Sequence, residues 1–149
     1  MKTLKITSIL FLLVALVGFV DATYLTVQHF IGVVPPCLIT KGCSTVLTSQ
    51  WSAVGPVPIS LLGAIYYLVL IVLALAYLSS GKKRFLTTAA FGTFLGFIAS
   101  LWLFGLQLFI IKDLCFYCLI SGLTSTILFI IGLFIFRQIK KLPVETTLF

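Results

Sequence analysis

The chain has 149 residues, room for one domain. It is 61% hydrophobic and 9% charged, against roughly 45–50% and about 25% in soluble proteins. A soluble fold of this size could not hide so much apolar surface, so lipid is the solvent for most of the protein. The net charge of +7 sits in short clusters between apolar runs. That pattern sets membrane topology rather than tracking phosphates, and no nucleic-acid partner is expected.

Four apolar runs are long enough to cross a bilayer core, which takes about 20 helical residues. The first, Ile6 to Phe30, follows Lys2 and Lys5 as a signal peptide would. It continues past Asp21 through "DATYLTVQHF" without a small-x-small cleavage site, so it is expected to remain as a helix. Pro35 and Pro36 stop it, and an outer loop over residues 31–57 carries Cys37 and Cys43 in "CLITKGC". The second run is Pro58 to Leu78, with Pro58 suited to a first helical turn. "SSGKKR" separates it from the third, Phe85 to Ile111, where Gly92 and Gly96 form a G-x-x-x-G that lets helices approach closely. "KDL" then leads into the fourth, Leu114 to Phe136, which opens with "CFYC". The expected fold is all-α: a polytopic four-transmembrane-helix bundle with an outer loop carrying a cysteine pair, one integral membrane domain over residues 1–149.

With four spans, Lys2, Lys5, Lys82, Lys83, Arg84, Arg137, Lys140 and Lys141 share one side, and only Lys41 and Lys112 lie on the other. The positive-inside rule makes the first side cytoplasmic, with both termini on it; the expected location is a cell (plasma) membrane. All four cysteines, Cys37, Cys43, Cys115 and Cys118, then face outward, where disulfides form and persist.

Cys115 and Cys118 are three apart, so at a helix start they share one face. The unpaired N–H groups and partial positive charge of a helix N-terminus favour a thiolate, the nucleophile of disulfide exchange. Cys118 lies a turn deeper, within reach of a lipid-soluble electron acceptor. Cys37 and Cys43 are six apart and span at most about 20 Å. A disulfide needs their Cα atoms within about 4.4–6.8 Å. Such a loop can close on itself or offer one sulfur elsewhere, so Cys37–Cys43 and Cys43–Cys115 are both conceivable resting bonds. Two pairs, one mobile in water and one at the membrane surface, make an electron relay. Competing readings are two structural disulfides, a four-sulfur zinc site, and soft-metal binding or transport with the cysteines as ligands.

Taken together, "DATYLTVQHF", the loop pair followed by "CSTVLTSQW", "PISLLGAIYY" and "CFYC" resemble the vitamin K epoxide reductase family in its bacterial and archaeal form. The likeness extends to about Gln138. The resemblance implies a membrane thiol–disulfide oxidoreductase with a four-helix bundle around a quinone (ubiquinone, menaquinone or a relative) and no metal. It implies that Cys118 reduces the quinone, that Cys115 exchanges with Cys43, and that Cys37 forms a mixed disulfide with a thioredoxin-fold, DsbA-like oxidoreductase. Electrons would pass from that partner to the membrane quinone pool, supporting disulfide formation outside the cytoplasm. Ser49, Trp51, Ser60 and Gly63 match further family positions. Many bacterial members carry a fused thioredoxin-like domain, and here the partner is expected in trans. A tyrosine and an asparagine near the quinone in the vertebrate enzymes are replaced by Gly122 and Ile59. The donors for the quinone's carbonyl oxygens are therefore open, with Ser60 and Asp21 as the candidate quinone-binding residues beside Cys118. A different bacterial quinone-linked disulfide-forming family has its C-x-x-C in the first outer loop, the reverse of the order here.

Other residues invite two readings each. Asp21 lies roughly 13 Å inside the outer end of helix one at 1.5 Å per residue. It is either a proton relay or orienting group for the quinone, or a packing residue held neutral or hydrogen-bonded. His29 reads as a wet boundary histidine. Gln107 and Trp102 could line a pocket or meet packing and lipid. Ser49 and Trp51 could anchor the outer loop as a lid, on the strength of the resemblance.

Overall fold

A computed structural model describes residues 2–141; the expected single domain over 1–149 also takes in residue 1 and residues 142–149, which lie outside the described residues. The elements run α1 (Lys2–Ile31), α2 (Cys43–Leu47), β1 (Ala53–Val54), β2 (Val57–Pro58), α3 (Ile59–Ser80), α4 (Lys83–Gly105) and α5 (Phe116–Lys141). Between α4 and α5 the chain continues as a π-helical stretch, Leu106–Ile111. Four of these helices, counting α4 with its π continuation, are long and apolar enough to cross a membrane. They form the expected bundle: α1 packs on α3 and α5, and α4 packs on α5 and α3.

Each helix is mainly apolar all round, and its inner face mixes small residues and hydroxyls with large apolar side chains. On α1 the buried residues Leu4, Ser8, Phe11, Ala15, Gly18, Ala22 and Leu25 recur at alternating steps of four and three. That is the spacing of a packed helix–helix seam. Large side chains such as Phe91 and Phe109 point outward, 71% and 79% exposed, as lipid permits and water would not. Some hydroxyls on the inner face are satisfied within their own helices: Ser8 donates to the Leu4 carbonyl at 2.7 Å and Thr93 to that of Ala90 at 2.6 Å. Lipid offers no alternative partner, so this is what burial there requires.

Two tyrosines of α3 fix how closely its neighbours come. The ring of Tyr67 lies against Gly18 of α1, and that of Tyr66 lies against Gly96 of α4, the second glycine of the G-x-x-x-G. Gly92 meets Leu70 of α3 at ordinary contact distance. Tyr67 is 2% exposed, and its hydroxyl donates to the Ser121 carbonyl of α5 at 2.8 Å and lies 2.9 Å from Thr124 Oγ1. One side chain thus ties three helices together.

The boundaries depart from expectation in three places. Pro58 is the residue before α3, extended at φ −68° and ψ 142°, not part of its first turn. It pairs with Ala53 in a two-residue hairpin that turns at Gly55, φ 62°. The outer loop therefore contains a short helix and a hairpin rather than coil alone. The fourth helix begins at Phe116, two residues later than the apolar run, because the turn out of the π stretch occupies Lys112 to Cys115. Lys112 takes φ 58°, the left-handed conformation in which helices commonly terminate.

The Gly18–Tyr67 contact is open to test. A Gly18→Val substitution would drive its Cβ into a ring locked by two hydrogen bonds, and overpacking of this kind costs about 1–3 kcal/mol. We expect a clear drop in thermal midpoint in detergent, with Gly122→Ala, whose Cβ meets nothing within 4 Å, unchanged or slightly raised.

Candidate redox centre

The loop cysteines are joined. Cys37 and Cys43 form a disulfide with Cα atoms 5.8 Å apart, which settles the resting pairing that spacing left open. The ring is tightened by the Cys43 N–H, which donates to Cys37 Sγ at 3.2 Å, and by the Thr40 hydroxyl, 3.4 Å from the same sulfur. The two cysteines differ in setting. Cys37 is half-buried beside the exposed Leu38 and Ile39, whereas Cys43 is 1% exposed and opens α2.

Cys43 is buried because the loop docks on the turn ahead of α5. Gly42 makes the docking fit: a Cβ there would meet the Cβ of Asp113 and the backbone N and O of Leu114, each at 2.8 Å. Backbone cannot move aside as a side-chain tip could. On the far side, the Tyr117 hydroxyl donates to the Pro36 carbonyl at 3.2 Å and the Tyr24 ring lies 5.5 Å from the Tyr117 ring. The result is one small buried cluster of Cys43, Val46 and Cys115, with Cys37 and Cys118 at its border.

Cys115 is the residue before the first helical residue of α5, its carbonyl accepting the Leu119 N–H at 3.0 Å. Its own N–H donates to Gln107 Oε1 of the π stretch at 3.0 Å. Cys115 and Cys118 are free thiols. The Cys115 thiol is lowered to about 7 chiefly by its hydrogen bond with the Cys118 thiol, which outweighs burial, with the N–H groups of Cys118 and Tyr117 helping. A thiolate at this position is what the helix terminus was expected to favour.

Cys118 faces a cavity of about 1470 Å³ enclosed by α1, α3, α4, α5 and the outer loop. That is ample for a ring-sized ligand with part of a tail, and its walls are mainly apolar, as sites for such ligands are. Ser60, Gly63, Ser49 and Trp51 also line it, as do His29, Trp102 and Gln107. Asp21 does not. It sits half-buried on α1 next to the cavity-lining Ala22, with Oδ2 sealed from solvent and lacking a hydrogen-bond partner. Among the described residues no three His, Cys, Asp or Glu side chains gather as metal ligands, so the soft-metal reading gains no support.

Gly42, the Tyr67 network and the bond from Cys115 to Gln107 had no distinct signal in the sequence. A glycine beside a cysteine is ordinary loop chemistry until its neighbour across the fold is known.

Residues 9–133 match the family model described as the Vitamin K epoxide reductase family. Compared one by one with curated proteins, the chain has no match.

Since docking of the loop rests on Gly42, Gly42→Ala should lift Cys43 away from Cys115. A loss of about 1–3 kcal/mol in docking corresponds to roughly a tenfold or greater rise in exposure of Cys115. Mass-spectrometric alkylation kinetics should show Cys115 labelled faster by that factor, with the Cys37–Cys43 disulfide intact.

Proposed function

Since the chain belongs to the vitamin K epoxide reductase family and is a multi-pass membrane thiol–disulfide oxidoreductase, we propose that it takes electrons from a thioredoxin-fold, DsbA-like partner at Cys37. It delivers them through Cys43, Cys115 and Cys118 to a quinone from the membrane pool. The observation that carries this reading is the ordering of the sulfurs. Cys37 is accessible at the loop surface, Cys43 and Cys115 are buried in one cluster, and Cys118 borders both that cluster and the apolar cavity.

The steps balance with these four residues. A partner thiolate attacks Cys37, the Cys37–Cys43 bond breaks, and the partner's second thiol resolves the mixed disulfide. Cys43, now a thiolate, attacks Cys115 of the Cys115–Cys118 disulfide and frees Cys118; Cys37 then attacks Cys43, restoring the Cys37–Cys43 bond and freeing Cys115. The Cys115 and Cys118 thiols then close to a disulfide, giving two electrons and two protons to the quinone substrate, which leaves as quinol. Cys115 suits both roles because its thiolate is well populated near neutrality: it leaves readily when Cys37 resolves the mixed disulfide, and it attacks readily when the pair closes. Ser60 would offer a polar contact from the start of α3, and Ser49 and Trp51 would close the mouth of the cavity from the loop. Asp21 would hold or pass protons behind the site rather than touch the ligand.

The basic clusters support a cytoplasmic location for both termini of the chain, and hence an extracytoplasmic loop; we place the bundle in a cell (plasma) membrane. The reaction would then supply disulfides where they persist.

The test is a cysteine series in purified protein. Cys37→Ala should abolish reoxidation of a reduced thioredoxin-fold partner while quinone-dependent oxidation of a small dithiol continues. Cys118→Ala should abolish both. Full activity of all four single variants with the protein partner would falsify the relay. In pre-reduced protein, quinone reduction should slow as pH falls through about 7, because the lowered Cys115 thiol is ionised only above that value. Stopped-flow absorbance of the quinone should show close to a tenfold loss per pH unit below it.

A further inference from the structure

We propose that Gln107 is a quinone-binding residue, its side-chain amide N–H donating to a carbonyl oxygen of the quinone beside Cys118. The inference rests on the quinone reading above and assigns it a donor that neither Ile59 nor Gly122 can provide.

Gln107 is 4% exposed in the middle of an apolar bundle. A buried carboxamide has one acceptor and two donor hydrogens to satisfy. Its orientation is fixed by chemistry: the Cys115 N–H can only donate, so Oε1 is the atom that faces it, at 3.0 Å. Nε2 therefore points to the other side of the carboxamide and has no acceptor among the described residues. It is not one of the polar atoms sealed without a partner, which are Asp21 Oδ2, Thr23 Oγ1, Tyr66 Oη, Ser125 Oγ and Gln138 Oε1. Its opening is the cavity that Gln107 lines together with Cys118. Ser60, at the start of α3, can add a second contact, but three other hydroxyls of the wall are less apt. Tyr66 and Ser125 are sealed, and the Tyr67 hydroxyl is committed to Ser121 and Thr124.

The backbone supports the same assignment. Gln107 is the second residue of the π stretch, and wide turns of this kind recur at functional sites. A donor there matters beyond affinity. As the two thiols close and negative charge grows on the carbonyl oxygen, an N–H in a dry, preorganised site stabilises it more than water could. The carboxamide would thus touch the reacting pair at both ends, holding the N-terminus of α5 through Oε1 and the acceptor through Nε2.

The experiment measures quinone affinity in detergent at pH 8 by quenching of Trp51 and Trp102, the two tryptophans of the chain, both on the cavity wall. The probe is 2-methyl-1,4-naphthoquinone, titrated into wild type, Gln107→Glu and Gln107→Leu. The alkylation rate of Cys115 is measured in parallel. Gln107→Glu keeps an acceptor for the Cys115 N–H but, as a carboxylate, presents no donor. We expect its quinone affinity to fall about tenfold, the effect of losing one buried hydrogen bond, with Cys115 alkylating as in wild type. Gln107→Leu should lose affinity similarly and also alter Cys115. Wild-type affinity in Gln107→Glu, or a loss seen only together with a changed Cys115 rate, overturns the assignment. Absence of saturable quenching in wild type overturns the quinone reading itself.

Discussion

The whole arrangement depends on a close approach between two pieces of backbone. The loop carrying the disulfide comes to rest on the turn ahead of α5 at Gly42 and Leu114, where there is no room for a side chain. That contact seals Cys43 and Cys115 together, 1% and 0% exposed, in a pocket from which water is excluded. Thiol–disulfide exchange needs an attacking sulfur to reach its target along a defined line, and a flexible six-residue ring would seldom supply it unaided. Docking converts an encounter between a mobile pair and a fixed pair into a standing contact. It also leaves Cys37 outside the seal, so the ring has a wet end and a dry end.

The bilayer imposes the second constraint. Helices must begin and end near its surface because their terminal N–H and C=O groups need partners that lipid does not offer. The N-terminus of α5 answers that need with chemistry. The Cys115 N–H is taken by Gln107, and the next N–H groups lie close enough to lower the Cys115 thiol. The group that would be a liability at an ordinary buried helix end becomes the setting for a thiolate. Immediately below, the bundle opens into the apolar cavity that Cys118 faces. In the proposed relay, a hydrophobic oxidant arriving from the membrane and a hydrophilic reductant arriving from solution would never need to meet.

How much of this could be read from the residues follows from what each feature depends on. The four spans, and the placement of Cys115 and Cys118 where the fourth begins, rest on local composition, so they were legible; the bundle was legible through the family resemblance. The α2 helix and the Ala53–Pro58 hairpin were not. Elements of five and two residues carry no periodicity and exist only because the loop has a surface to lie on. The π stretch was hidden for a related reason: "LQLFII" is an unremarkable apolar sequence, and its wider turn is imposed where α4 must hand over to the Lys112–Cys115 turn. Inner and outer faces of the spans were equally opaque, because both are largely apolar and large side chains occur on each. Of the proposed site, Ser60, Ser49, Trp51 and Cys118 come together around the cavity, whereas Asp21 stands one residue behind it.

That last difference bears on how a family can keep a reaction while changing the residues around its substrate. The sulfurs cannot vary, since each step of the relay consumes a specific one. A hydrogen-bond donor for a carbonyl oxygen is less constrained: it must arrive at the right point with an N–H or O–H, from whichever helix can reach. Ile59 and Gly122 have no side-chain donor to offer, so at those two positions a polar contact must come from elsewhere on the cavity wall. The π turn brings a carboxamide to the same cavity from the opposite side and anchors it on the backbone of Cys115. A donor so anchored is aligned with the thiol pair by construction, because the same side chain holds both. Misplacing it would disturb the N-terminus of α5 as well as the ligand.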